Sequence, residues 1–281
     1  VRSLDHGETW EDVSDQVSFP RGIRHGTAFA VDASVVEALI ANRTYNSLIP
    51  DNVADPSVSK FGDTYYLYGT TDLDYGLERA GTPVVWKSKD FVNWSFEGSH
   101  ISDFDWSKGY EYTNDKGEKK KGYFRYWAPG RVIEHDGKFY LYVTFVKPGD
   151  KMGTYVLVAD RPEGPFRFTE GKGLFVSGEE VDSSAIINDI DGEPFIDDDG
   201  TGYIFWRRRN AARLSADRLH LDGEPVTLKT ARQGYSEGPV MFKRKGIYYY
   251  IYTLSGHQNY ANAYMMSRES PLTGFVKPEG N

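Results

Sequence analysis

The stretch Ile190-Asp191-Gly192-Glu193-Pro194-Phe195-Ile196-Asp197-Asp198-Asp199-Gly200-Thr201-Gly202-Tyr203-Ile204-Phe205-Trp206 carries the plan of the whole chain. A polar lead-in opens it, a Gly-bearing turn divides it, and a run of aromatic and β-branched residues closes it. That order predicts two antiparallel strands joined by a tight hairpin, because Asp and Gly supply turn geometry while aromatic and β-branched side chains suit a pleated surface. The same plan appears elsewhere along the chain. Ala54-Asp55-Pro56 leads through Gly62 to Thr64-Tyr65-Tyr66-Leu67-Tyr68, and Trp127-Ala128-Pro129 leads through Gly137 to Phe139-Tyr140-Leu141-Tyr142. Glu237-Gly238-Pro239 leads through Gly246 to Tyr248-Tyr249-Tyr250-Ile251-Tyr252.

Each aromatic run then meets another strand-like stretch: Val84-Val85-Trp86, Tyr155-Val156-Leu157-Val158, Ala211-Ala212-Arg213-Leu214 and Ala263-Tyr264-Met265-Met266. Antiparallel units with a hairpin Gly at the same place in each predict propeller blades packed around a central channel. A β-sandwich would show strands evenly spaced about every 8 to 12 residues and no repeated lead-in. The expected class is therefore all-β, with four blades visible in the sequence.

Composition agrees. The 281 residues include 20 Tyr, 16 Phe, 6 Trp and 29 Gly, a mix that favours strands and turns. A net charge of −8 leaves no basic footprint for a phosphate backbone, so nucleic acid is excluded as a partner. With no Cys there is no disulfide framework, thiolate metal cluster or thiol nucleophile. Apolar runs such as Tyr203 to Trp206 fall far short of the roughly 20 residues needed to cross a bilayer, so no membrane partner is expected. The chain opens at Val1 without a basic segment running into an apolar one, which places any signal peptide upstream. The expected location is secreted, periplasmic or at the cell surface.

The first 45 or so residues do not follow the blade plan. Ser34-Val35-Val36-Glu37 matches a capping box and predicts a short helix from Val35 to Asn42. The expected division is a tail of a preceding domain, or a closing segment, over 1–45, and the propeller domain over 46–281, cut short at its C-terminus, with further domains in a longer chain.

A propeller gathers equivalent lead-ins around its channel, so those positions carry the chemistry. They hold the carboxylates Asp55, Asp191 and Glu237 and the indole of Trp127. Like charges confined in a partly desolvated site repel and raise one another's pKa. Glycoside hydrolysis uses that conflict, since it needs one ionised carboxylate to activate water or attack carbon and one protonated acid to release the departing oxygen. A third acid adds negative charge that keeps the donor protonated. Trp127 offers a flat apolar face to a sugar ring.

At these residues the chain resembles glycoside hydrolase family 43 and its five-bladed β-propeller relatives. The motifs are Ala-Asp-Pro-Ser-Val at 54–58, Tyr-Trp-Ala-Pro at 126–129, Ile-Asp-Gly-Glu-Pro-Phe-Ile-Asp-Asp-Asp-Gly at 190–200 and Ser-Glu-Gly-Pro-Val-Met-Phe-Lys at 236–243. The resemblance implies an inverting hydrolase of β-xylosidase or α-L-arabinofuranosidase type acting on plant-type polysaccharide or its oligosaccharides. It implies Asp55 as general base, Glu237 as general acid and Asp191 as the acid that raises the donor's pKa and orients it. Inversion calls for base and acid carboxyls roughly 6.5 to 9.5 Å apart. No cofactor is implied for the chemistry, and a structural calcium ion in the channel is left open. Gly192 stands where many relatives have Pro, which is expected to loosen the backbone at Asp191. A catalytically silent carbohydrate-binding propeller and a fructan- or galactan-active relative are the competing readings.

Other polar clusters read as structural. Asp197-Asp198-Asp199 before Gly200 is expected to be a solvated turn, and it lacks the ligand spacing of a calcium loop. Lys116 to Lys121 reads as an exposed insertion, and Tyr248 to Tyr252 as filler between blades. Arg207 is expected to bind a sugar hydroxyl or fix a carboxylate, while His25 and His257 read as loop residues as readily as ligands.

Overall fold

A computed structural model describes residues 53–71, 81–101, 104–169, 175–176, 179–180, 185–231, 234–254 and 261–278, together with 33, 34 and 37. Of the expected N-terminal helix, Ala33, Ser34 and Glu37 are helical and exposed, so Ser34 lies within the helix rather than capping it. The rest of the 1–45 segment, including His25, and also His257 lie outside the described residues.

Nearly all the regular secondary structure among the described residues is β-strand. Blade 1 is a meander of β1 (Val53–Phe61), β2 (Thr64–Thr71), β3 (Val84–Ser88) and β4 (Ser95–Ser99). A hairpin of β5 (Gly109–Thr113) and β6 (Lys119–Tyr123) follows, and its tip from Lys116 to Lys121 is exposed as expected. Blade 2 pairs β7 (Arg125–Trp127) and β8 (Ile133–His135) with β9 (Lys138–Lys147), and β9 with β10 (Lys151–Ala159). After the short ladder of β11 (Phe175–Val176) and β12 (Glu179–Glu180) comes blade 3, formed by β13 (Glu193–Ile196), β14 (Gly202–Trp206), β15 (Asn210–Leu214) and β16 (Leu221–Thr227). Blade 4 is β17 (Val240–Arg244), β18 (Ile247–Leu254) and β19 (Ala261–Ser267). The chain is thus an all-β propeller with four blades among the described residues.

The hairpins arise from local chemistry. In blades 2 and 4 both turn residues are left-handed, Asp136 and Gly137 at φ 50° and 71°, Lys245 and Gly246 at 50° and 73°. Turns of that hand match the right-handed twist of the strands they join.

Aromatic layers hold the blades together. Tyr66, Tyr68 and Val85 of blade 1 share a core with Tyr126, Leu141, Val143 and Phe145 of blade 2. Tyr142 and Val156 meet Ile204, Trp206 and Ala212 between blades 2 and 3, and Phe195, Phe205 and Ala211 meet Met241, Tyr250 and Tyr252 between blades 3 and 4. The tyrosine run of β18 alternates as a strand must: Tyr248, Tyr250 and Tyr252 fill that last layer, while Tyr249 stacks on Phe242 at 4.9 Å and 6°.

The Asp197 turn departs from expectation. Its backbone closes a hairpin, with the Gly200 N–H donating to Asp197 O at 2.9 Å. The Asp197 side chain is only 9% exposed, accepting from Lys243 Nζ at 2.7 Å and Tyr248 OH at 2.6 Å. It therefore ties blade 3 to blade 4 instead of facing water. Lys243 also reaches the exposed Asp198.

Candidate active site

Pairing between the first and second strands of each blade sets the register at the channel. Ala54 pairs with Thr70 and Trp127 with Thr144, while the Arg207 N–H donates to Ile190 O and the Thr253 N–H to Glu237 O. Ala54, Trp127, Ile190 and Glu237 are therefore equivalent, and the residues after them, Asp55, Ala128, Asp191 and Gly238, form a second equivalent set. The acids treated together in the sequence occupy two adjacent registers, Asp55 and Asp191 in one and Glu237 with Trp127 in the other.

The second set shares an unusual backbone. Asp55, Ala128, Asp191 and Gly238 have φ of 48°, 40°, 65° and 54°. For a residue other than Gly this costs of order 1–2 kcal/mol, and a following Pro disfavours it further at Asp55 and Ala128. The register of β1 slips between Ala54 and Ser57, a bulge that turns the Asp55 side chain inward. A cavity of about 50 Å³ lies where these lead-ins meet, lined by residues 55–57, 128–130, 191–193 and 238–240. The same triplet from every described blade forms this throat, so residues up to 185 positions apart, Asp55 and Val240, line one cavity.

Threonines fix the throat. Thr70 Oγ1 donates to Asp55 Oδ2 at 2.8 Å and accepts the Ala128 N–H at 2.7 Å. Thr144 Oγ1 accepts the Asp191 N–H at 3.1 Å. In each case the second strand of one blade takes the lead-in N–H of the next. Blade 3 carries Arg207 at this register, and there the Asp191 carboxylate takes over, Oδ2 accepting the Gly238 N–H at 3.0 Å. Asp191 thereby holds the peptide that follows Glu237.

Burial pushes the Asp191 carboxyl up to about 7, the Gly238 N–H opposes the rise, and the charges of Asp55 and Glu237 add to it. Asp55 and Glu237 thus each lie within electrostatic reach of Asp191, and burial lets Asp191 keep a proton close to neutrality. Asp55, Asp191 and Glu237 each remain partly exposed.

Around Glu237 the structure adds residues that the sequence reading misses. Tyr235 OH donates to Glu237 Oε2 at 2.9 Å, and Arg207 Nη1 reaches Tyr235 OH at 3.5 Å. Arg207 Nη2 forms an ion pair with Asp189 Oδ1 at 2.5 Å. Arg207, expected to hold a sugar hydroxyl or a carboxylate, is directed to a carboxylate and a phenol. Tyr235 and Asp189 stand two residues before Glu237 and Asp191 in the lead-ins, ahead of β17 and β13, and that shared spacing was the available signal. Trp127 is partly exposed, with the Arg125 guanidinium 4.8 Å from its ring centre. At Gly192, where a looser backbone is expected, a Cβ would lie 2.5 Å from Thr154 Cγ2, and the adjacent Asp191 is hydrogen-bonded through both its N–H and its carboxylate. Among the described residues no three His, Asp or Glu side chains are placed to share a metal ion.

Comparison with known proteins follows the same residues. The profile of Glycosyl hydrolases family 43 matches residues 44–280. A β-D-galactofuranosidase of Aspergillus niger is 29% identical over 82% of this chain and 65% of its own length. An arabinoxylan arabinofuranohydrolase of Bacillus subtilis is 28% identical over 82% of this chain and 48% of its own. A solved structure described as a glycoside hydrolase superposes with a TM-score of 0.68 at 42% identity, covering 84% of this chain and 50% of that one. The chain spans about half to two thirds of the length of these relatives.

Proposed function

Since this chain belongs to Glycosyl hydrolases family 43, we propose that it hydrolyses glycosidic bonds with inversion, releasing α-L-arabinofuranosyl or β-xylosyl units from plant-type polysaccharide or its oligosaccharides. The observation that carries the reading is the Asp191 carboxyl, which lines the throat with Asp55 and is raised by burial and by the charges of Asp55 and Glu237. Asp55 serves as base, its orientation set by Thr70. It takes a proton from a water as that water's oxygen bonds to the anomeric carbon. Glu237 gives its proton to the departing oxygen as the glycosidic bond breaks, and solvent restores both groups. Asp191 acts on Glu237 through its hold on the Gly238 N–H and, once it ionises, through its charge. Trp127 supplies the stacking surface for the sugar. We place the enzyme outside the cell or at its surface, where such polymers are met.

The galactofuranosidase relative favours a second reading, a hexofuranoside substrate. A panel of aryl α-L-arabinofuranosides, β-xylosides and β-D-galactofuranosides separates the two. Glu237→Gln is expected to lower kcat on natural oligosaccharide by about 10²- to 10⁴-fold. Activity within tenfold of the parent would reject Glu237 as donor, and sugar binding by the parent without turnover would make the chain a binding module.

A further inference from the structure

We infer that Tyr235 is a positioning residue for the proton donor, fixing one oxygen of Glu237 while Arg207 and Asp189 fix Tyr235. The inference rests on the reading of Glu237 as the acid. Its basis is the direction of the hydrogen bonds. Arg207 has only donors and its guanidinium is held by the Asp189 carboxylate at 2.5 Å, so at Tyr235 OH it can meet only a lone pair. The phenol has a single hydrogen, and it goes to Glu237 Oε2 at 2.9 Å. Burial pushes the Tyr235 phenol up to about 12, so it keeps that hydrogen throughout the working range of pH. The order from Asp189 through Arg207 and Tyr235 to Glu237 is thereby fixed in one sense. An oxygen already accepting the phenol's hydrogen is the poorer place for a second proton, so the transferable proton is set on Oε1.

The backbone is arranged to the same end. After β14 the chain turns through Arg207, Arg208 and Arg209, and Arg208 and Arg209 both have φ of 64°. Two consecutive left-handed residues that are not glycine store strain of order 1–3 kcal/mol each. The turn they make grips the segment ahead of Glu237 from both sides of Tyr235: the Arg208 N–H donates to Ser236 O at 2.8 Å, and Arg209 Nη1 to Gly234 O at 2.8 Å. The Asp189 side chain is in turn held by the Ile190 N–H at 2.9 Å, and its carbonyl by Thr154 Oγ1 at 2.8 Å. Blade 3 thus steadies the donor of blade 4 by a route separate from Asp191.

The test compares the parent, Tyr235→Phe and Glu237→Gln on glycosides of one sugar whose leaving groups range from simple alcohols to nitrophenols. Protonation matters for the alcohols and little for nitrophenols, which depart as anions. Tyr235→Phe is expected to lower kcat roughly tenfold on the poor leaving groups, with KM unchanged and nitrophenyl turnover within twofold of the parent. Equal loss on all leaving groups, or no loss on the alcohols, overturns the inference. If Glu237→Gln shows no dependence on leaving group, the acid assignment fails and the inference falls with it. If Glu237→Gln shows the dependence and Tyr235→Phe does not, the inference alone fails. Arg207→Met, which removes the support of the phenol but not the phenol, is expected to give the same pattern in smaller degree, and the same outcomes decide it should Tyr235→Phe not fold.

Discussion

Asp191 combines a left-handed backbone with a carboxyl pushed up from 3.8 to about 7, so it links stability to pH as well as to chemistry. A folded-state value above the unfolded one means that the folded protein holds the extra proton between about pH 4 and 7. The stability tied to that proton is present below about pH 4, declines as pH rises towards 7 and is lost above it. Fully developed, the cost is about 4 kcal/mol, of which about 2–3 kcal/mol falls between pH 5 and 8. Asp191→Asn removes the ionisation, tolerates positive φ and keeps an oxygen for the Gly238 N–H. Denaturant unfolding at pH 5 and 8 is expected to show that drop in the parent and not in the variant, and equal drops in both would contradict the burial of this carboxyl. The acids themselves were legible in the sequence as lead-in residues. Their partners were not all legible. Thr70 and Thr144 each stand two residues after the last tyrosine of an aromatic run, Tyr68 and Tyr142, but what they bond to depends on which blade comes next in space.

At the scale of elements, the throat is narrow enough for backbone to meet backbone. A Cβ on Gly130, in the lead-in of blade 2, would lie 2.1 Å from Gly192 O in the lead-in of blade 3. A carbonyl cannot turn aside as a flexible side chain can, so Gly130→Ala is expected to destabilise the fold by about 1–3 kcal/mol or more and to lower turnover with it. An unchanged Tm would show that the two lead-ins have room to separate. Hairpins and strand runs were readable because their signals are local, a turn glycine flanked by aromatic and β-branched residues. Asp197 shows where local reading fails. Three aspartates before a glycine look solvated until Lys243 and Tyr248 arrive from the neighbouring blade. The one-residue offset between Asp55 and Glu237 is likewise set by strand pairing and is hidden in a comparison of lead-ins as units.

Across the whole molecule, tyrosine-rich layers between blades bring Asp55 and Glu237 within electrostatic reach of Asp191, although the three come from separate blades. The aromatic excess and the repeated lead-ins were enough to read the propeller, because each blade must bury its faces against its neighbours. Sugar specificity was not legible, since a pocket's preference depends on loops between blades and these follow no repeat. In the proposed mechanism Asp55 and Glu237 work on opposite sides of one glycosidic bond, with a water between base and sugar. The direct test is proton NMR of the first sugar released from an oligosaccharide the chain cleaves, recorded before the product mutarotates. The expected first product is the anomer opposite to that of the substrate, whereas a first-formed product with the substrate's own configuration would rule out Asp55 as a base acting through water.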